Sequence, residues 1–167
     1  MIMKRLQEDR QNALLVRISN RRANILPARA ILDTYLDHAK NNKGRFLYCV
    51  PYRFNARRVR DTGNIILYSS VSGSAVVANI WDADNDYDPR MWTDENFTVP
   101  PQLENKPAKT WIACRNAHAM HINAHDWRLE KAGRNGMKMN LAVSFRKGTL
   151  SPYLFIEPDT SGDPYSF

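Results

Sequence analysis

The clearest hydrophobic pattern of the chain lies in residues 61–81. Two short runs rich in Ile, Val, Leu and Tyr flank Ser-Val-Ser-Gly-Ser, and Asp-Thr-Gly-Asn precedes the first run. Short apolar runs separated by small turn-forming residues are typical of two strands paired as a hairpin. The pattern therefore predicts strands over residues 64–70 and 74–81, and we expect the rest of the chain to be arranged around them.

The N-terminal 44 residues predict helical structure. In residues 6–18 the apolar positions fit either a short helix that leads into a strand or one irregular helix. A clearer helix follows Pro27, which is tolerated in a first turn, and Gly44 is suited to end it. The apolar positions of this helix form one stripe at helical spacing: Ile31, Leu32, Tyr35, Leu36 and Ala39.

Strands and turns are predicted for most of the remaining chain. Residues 45–52 and 109–117 have strand-like apolar runs, and residues 55–60 form a single helical turn. Residues 120–123 either continue the second of these strands or begin a turn, and residues 123–129 predict a short helix. Gly133-Arg-Asn-Gly136 marks a tight turn. We expect residues 140–145 and 153–157 to pair as a last hairpin.

Residues 82–107 form a polar, acidic segment interrupted by four prolines. A segment of this length is too long to be a simple connection between two strands. We expect either an ordered excursion held by Tyr87, Trp92 and Phe97 or a mobile flap.

The length of 167 residues and the apolar fraction of 43% predict one folded domain over the whole chain. Within it we distinguish residues 1–44 as a helical extension, 45–157 as the main body and 158–167 as a tail. Cys49 and Cys114 lie in apolar runs and are interpreted as buried free thiols. Because no long apolar run or signal-peptide pattern is present, we expect a cytoplasmic protein that does not bind membranes.

The charges of the chain are segregated along the sequence. Residues 1–60 carry 14 Lys and Arg against 4 acids, whereas residues 61–105 carry 1 against 8. Residues 106–167 carry 9 against 5, and the net charge is +7. This asymmetry either orients the protein in the field of a polyanion or is ordinary uneven surface.

The acidic run of residues 82–88 does not fit a calcium loop. It places carboxylates at alternate positions, but Tyr87 and Thr93 occupy the positions where an EF-hand needs Gly and Glu. A solvated acidic loop, or a surface for a basic protein partner, is the preferred interpretation.

Three histidines, His118, His121 and His125, lie within eight residues. On a helix they would share one face and meet a divalent metal, but no HExxH pattern accompanies them. Histidines in a loop at a strand end are the preferred interpretation, and no metal or cofactor is predicted. The chain also lacks a nucleophile-elbow, phosphate-binding-loop or dinucleotide-binding pattern. A binding protein is therefore favoured over an enzyme.

Basic and aromatic residues alternate in residues 48–60. Arg53, Arg57, Arg58 and Arg60 follow or interleave with Tyr48, Tyr52 and Phe54. Aromatic faces that stack on bases, surrounded by guanidinium groups that hold phosphates, are typical of single-stranded or flipped-base recognition.

The order of these elements resembles the PUA-like barrels, especially the ASCH and EVE branches. The resemblance covers residues 45–157 and rests on D-T-G-N-I-I-L-Y-S-S, S-A-V-V-A-N-I-W-D and K-T-W-I-A-C-R-N. It implies an α+β fold with a small mixed or antiparallel β-barrel, short peripheral helices and a cleft for RNA or modified DNA. The G-x-K-x-x-E-x-R type motif of catalytic ASCH proteins is not found here, which favours binding without catalysis.

The first hypothesis is non-catalytic nucleic-acid binding in a basic cleft. The residues expected to form it are Arg53, Arg57, Arg58 and Arg60 at phosphates, with Tyr52, Trp92, Arg115, His118 and His121 near the base. The second is a phage or mobile-element protein that binds and inhibits a host nucleic-acid enzyme or defence complex, in the host cytoplasm. The third is a small histidine-dependent hydrolase or nuclease.

Overall fold

The computed structural model describes residues 12–18, 27–85, 97–103, 108–148 and 151–160. These residues form an α+β fold with seven strands, three α-helices and two short 3-10 turns. The strands are β1 (Ala13–Arg17), β2 (Phe46–Val50), β3 (Asn64–Tyr68), β4 (Ser74–Asp84), β5 (Thr110–His121), β6 (Trp127–Leu129) and β7 (Tyr153–Pro158). The helices are α1 (Ala28–Asn41), α2 (Ala56–Thr62) and α3 (Leu141–Arg146), and the 3-10 turns are Pro101–Leu103 and Ala124–Asp126.

All seven strands belong to one open sheet, in the order β2-β5-β4-β3-β1-β7-β6. The pair β1–β3 is parallel and the other pairs are antiparallel. A closed barrel would need β2 and β6 to pair with each other. Instead, loop segments cover these edges: Leu47 N–H donates to the Thr98 carbonyl at 2.9 Å and Leu129 N–H to the Met139 carbonyl at 2.8 Å. The expected barrel is thus not what the described strands form, and both exposed edges are partly protected.

The prediction that residues 1–44 lie outside the main body as a helical extension is wrong for β1. This strand lies inside the sheet, between β3 and β7. Its residues Ala13 to Val16 are at most 1% exposed. A strand covered on both faces has a continuous apolar run without alternation, which is why Ala-Leu-Leu-Val allowed both a helix and a strand in the sequence.

The apolar stripe predicted after Pro27 is confirmed as the buried face of helix α1. Ile31, Leu32, Tyr35 and Ala39 are buried against one face of the sheet, and Leu36 is partly buried there. The helix ends before Gly44, whose φ of 80° is the left-handed conformation that favours glycine. Helix α2 also packs on this face, through the fully buried Val59.

The opposite face of the sheet is covered in two places. Leu141 of α3 packs with Leu15 and Ile66 in one apolar cluster. Phe97 packs with Leu47 and Ala113 in another. The single sheet therefore lies between two partial layers.

The predicted hairpin of residues 140–145 with 153–157 is wrong. Residues 141–146 are helical because the Asn140 side chain caps the helix, with its Oδ1 accepting from Ala142 N–H at 3.0 Å. The strand β7 pairs with β1 and β6 instead. The short helix predicted for residues 123–129 is a 3-10 turn followed by β6.

Other local predictions are confirmed. Strands β3 and β4 form the predicted hairpin, and β5 continues to His121. The turn at residues 133–136 is closed by a hydrogen bond from Gly136 N–H to the Gly133 carbonyl at 3.0 Å. Cys49 and Cys114 are free thiols, the first half-buried and the second buried.

Candidate nucleic-acid interface

A short loop and α2 carry the four arginines predicted to bind phosphate. Asn55 caps α2, accepting a hydrogen bond from Arg58 N–H at 3.2 Å, and Gly63 ends the helix with a φ of 86°. Because Val59 anchors the helix in the core, the neighbouring Arg57, Arg58 and Arg60 remain exposed on its surface. The three arginines therefore lie close together on the solvent side of one seven-residue helix.

The backbone of the loop is held by the buried hydroxyl of Thr110. This hydroxyl donates to the Tyr52 carbonyl at 2.7 Å and accepts from Phe54 N–H at 3.0 Å. The Asn85 side-chain amide donates to the Phe54 carbonyl at 2.6 Å and to the Thr110 hydroxyl at 3.0 Å. Residues 52–54 are therefore fixed to the start of β5, which limits the entropy lost when a ligand binds them.

We expect Thr110→Val to loosen this loop and to lower the free energy of unfolding by about 1 kcal/mol, because it removes the partner of two part-buried backbone groups. Urea denaturation and amide hydrogen exchange at Phe54 measure both effects. Thr34→Val is the matched control, since the Thr34 hydroxyl only donates to the Ala30 carbonyl of its own helix, at 2.7 Å. Equal destabilisation by the two substitutions would contradict the role of Thr110.

Arg53, Arg57 and Arg60 line a cleft of about 540 Å³, which we call the arginine cleft. Phe54 and Asp84 also line it. Arg60 lies 3.5 Å from the Asp82 carboxylate and donates to the Ala83 carbonyl at 3.3 Å. Arg57 makes no hydrogen bond or ion pair with any residue that the structure describes. Among the described residues that line the cleft, Arg57 therefore has a guanidinium group without a hydrogen-bonding partner, whereas that of Arg60 already has partners.

A larger cleft of about 860 Å³ lies on the other side of α2 and has mixed charge. Arg57 and Arg58 line it together with three acids and one further arginine: Asp61, Glu130, Glu157 and Arg128. Arg58 lies 3.6 Å from the Glu130 carboxylate. Three arginines and three acids line this cleft, so it does not concentrate positive charge.

Glu157 is the most strongly bonded acid of the mixed cleft. It accepts two hydrogen bonds from Arg128, at 3.0 and 2.8 Å, and one from Lys138 at 2.6 Å. Burial alone would raise the pKa of Glu157, but these cationic donors outweigh it and hold the pKa below its ordinary value. The carboxylate is therefore occupied by structural contacts.

Four aromatic rings form a continuous row beside the arginine cleft. Tyr52 contacts Tyr153 with ring centroids 5.8 Å apart, Tyr153 contacts Phe54 at 5.2 Å, and Phe54 contacts Phe155 at 6.4 Å. The guanidinium carbon of Arg58 lies 4.0 Å from the centre of the Phe155 ring. We call these four rings the aromatic row, and it joins the loop to β7.

Three predicted site residues lie elsewhere on β5. His121 of β5 pairs with Ser74 of β4, whereas Arg60 contacts Asp82 of β4. Ser74 and Asp82 are eight residues apart on that strand. At about 3.3 Å per residue this places His121 about 25 Å from the arginine cleft. The structure therefore does not bring His121 together with the arginines, and Trp92 lies outside the described residues.

His118 and His121 lie on opposite faces of the sheet, because they are three residues apart on a strand. The three-histidine arrangement needs a helix and does not form on β5. In the part of the chain that is described, no group of three His, Cys, Asp or Glu side chains is placed to hold a metal ion.

Arg115 and His118 lie beside a polar row on the face opposite α1. The Asn116 amide donates to Asn79 Oδ1 at 3.0 Å, and the Asn79 amide donates to Asn64 Oδ1 at 3.0 Å. His118 Nδ1 lies 3.1 Å from the Asn116 carbonyl. The three side-chain amides form hydrogen bonds with one another across three strands, so this polar row is explained by its role in the structure.

Neither cysteine is suited to act as a nucleophile. Burial raises the pKa of the Cys49 thiol to about 11 and raises the pKa of the Cys114 thiol as well. Both side chains are thus protonated near neutral pH, and the reactive thiolate is not populated.

Sequence reasoning missed Tyr153, Phe155 and Thr110 as parts of the site. Tyr153 and Phe155 occupy alternate positions of β7, so the period of two predicts that they share a face. No sequence signal showed which segment lies next to that face. Thr110 carries no signal either, because the backbone groups that it holds, at Tyr52 and Phe54, are more than fifty residues away.

Comparison of the chain with models of known protein families, with curated proteins and with solved structures finds no match. Among the described helices, none has the length and apolar character needed to cross a bilayer. Fold and site together define an α+β protein whose open sheet carries a cleft of arginines and a row of aromatic rings.

Proposed function

We propose that this chain binds nucleic acid, without catalysis, through the arginine cleft. The observation that carries the proposal is the convergence of Arg53, Arg57 and Arg60 on one cleft, with Arg58 on the same short helix. Arginine is the side chain best suited to bidentate contact with phosphate oxygens. A polyanion is the ligand class that such a group recognises.

The acids near the cleft reduce its positive charge but do not block it. The ion pairs Arg60–Asp82 and Arg58–Glu130 are long, at 3.5 and 3.6 Å, and their side chains are 32–48% exposed. Exposed pairs of this kind contribute little to stability, so a phosphate displaces the carboxylate at small cost. Arg57, which pairs with no carboxylate of the described residues, is the residue expected to bind phosphate first.

The PUA-like assignment remains a proposal that rests on the sequence pattern of residues 45–157. Nucleic-acid binding does not depend on it, because its support comes from the local arrangement around α2. Arg115, His118 and His121 are left out of the proposed interface, since their positions on β5 are remote from it or on polar structural contacts.

The test is fluorescence anisotropy with labelled RNA and DNA oligonucleotides at several salt concentrations. With about four phosphate contacts we expect log K to fall against log salt with a slope of about −3. Arg57→Ala is expected to weaken binding of all sequences and to reduce the slope by about 1. Arg134→Ala, which removes an exposed arginine from the turn at residues 133–136, is the control and should leave both unchanged.

Binding that does not depend on salt, or equal behaviour of Arg57→Ala and the unmodified protein, would contradict the proposal. The alternative of a protein partner, such as a host nucleic-acid enzyme, has its own result. A partner that co-purifies after nuclease treatment, from a protein that binds no oligonucleotide, would favour that alternative.

A further inference from the structure

One end of the aromatic row is open to solvent, and the row reaches the arginine cleft through Phe54, which lines it. Tyr52 is 56% exposed, and its ring meets Tyr153 nearly edge to face, with an interplanar angle of 78°. The other three rings of the row are partly buried against the core. Tyr52 is thus a large aromatic surface that the fold supports from one side only.

We infer that the nucleic acid is bound single-stranded, with a base stacked on Tyr52, an inference that rests on the proposed function. A nucleobase stacks on an exposed aromatic face independently of its sequence. Tyr52 and Phe54 both contact Tyr153, and Phe54 lines the arginine cleft. We therefore assign a base on the Tyr52 ring and a phosphate in the cleft to nearby nucleotides of one strand. The two contacts together recognise a base and a backbone at once.

The ring is held in place before any ligand arrives. The Thr110 hydroxyl fixes the Tyr52 carbonyl at 2.7 Å, and Tyr153 supports the side chain with ring centroids 5.8 Å apart. A pre-positioned aromatic side chain loses little rotational freedom when a base stacks on it. This support on the backbone and on the ring distinguishes Tyr52 from an exposed aromatic side chain that nothing holds in place.

A duplex cannot make the same contact without being opened. Its phosphates are accessible to the arginine cleft, but its base faces are stacked inside the helix. Single strands, loops and splayed ends present both groups. Arg58 extends the same chemistry at the other end of the row, because a guanidinium group held over the Phe155 ring is also a surface for a base.

The experiment compares Tyr52→Ala and Tyr52→Phe on a single strand, on the duplex of the same sequence and on a single strand with abasic sites. We expect the unmodified protein to prefer the single strand. Tyr52→Ala should lose about tenfold in affinity for it, with an unchanged salt slope and little change on the duplex. Tyr52→Phe should bind like the unmodified protein, and the abasic strand should bind Tyr52→Ala and the unmodified protein equally.

Val71→Ala is the control, since Val71 is an apolar side chain that is 88% exposed and outside both clefts. Unchanged binding by Tyr52→Ala, equal affinity for single strand and duplex, or an equal loss in Tyr52→Phe would each overturn the inference. If Arg57→Ala still shows its salt effect in those cases, the proposed function stands. If no oligonucleotide binds with salt dependence, the proposed function fails and the inference fails with it.

Discussion

A chain that begins at residue 19 is expected not to fold. It lacks β1, which pairs with β3 on one side and with β7 on the other. Without this strand, β3 keeps β4 but loses its other neighbour, and the unit of β7 and β6 has no connection to the rest of the sheet. Dispersion of amide resonances and a cooperative urea transition measure the result, and both should be lost.

A single substitution tests the same strand more gently. Leu15 is fully buried and packs with Ile66 and Leu141, so Leu15→Ala should lower the free energy of unfolding by about 2–5 kcal/mol. The control Val71→Ala changes an exposed side chain and should remain within about 0.5 kcal/mol of the unmodified protein. A stable, cooperatively folded chain without residues 1–18 would show that β1 is dispensable.

Phe97→Ala is expected to lower the free energy of unfolding by about 3–5 kcal/mol. Phe97 is 2% exposed, and its ring stacks on Trp81 with centroids 5.2 Å apart. It also packs on Leu47 and Ala113, next to the hydrogen bond by which Thr98 covers the edge of β2. Removing the ring therefore costs both a core contact and the cover of a strand edge.

Urea denaturation measures this loss, and Tyr52→Ala is the matched control. It also removes an aromatic ring, but one that is 56% exposed, so its effect on stability should be much smaller. Comparable losses in the two variants would mean that Phe97 does not anchor its segment. The same control establishes that Tyr52→Ala is folded in the binding experiments.

The histidines and the arginines of the predicted site differ in how far local sequence could place them. Arg57, Arg58 and Arg60 lie on one helical turn, so their proximity is a local property. His118 and His121 lie on a strand, and the same spacing sends them to opposite faces. Side chains three residues apart share a face on a helix but not on a strand, so a wrong assignment of the secondary structure predicts the wrong set of neighbouring side chains.

Several elements could be predicted from the amino-acid sequence alone, because their signals are local. The apolar stripe and Gly44 define α1, the small residues between β3 and β4 define their hairpin, and Asn55 marks the start of α2. Each signal is read from residues within a few positions of one another, because helix periodicity, capping and turns are local properties.

The pairing of the strands and the contacts between the aromatic rings became known from the folded structure. An apolar run such as Ala13–Arg17 shows that a segment is buried, but its partners β3 and β7 lie far away in the chain. Strand pairing depends on contacts that no short segment contains, so the open sheet was not foreseeable from alternation alone. The same holds for the aromatic row, which exists because β7 passes beside the loop at Tyr52.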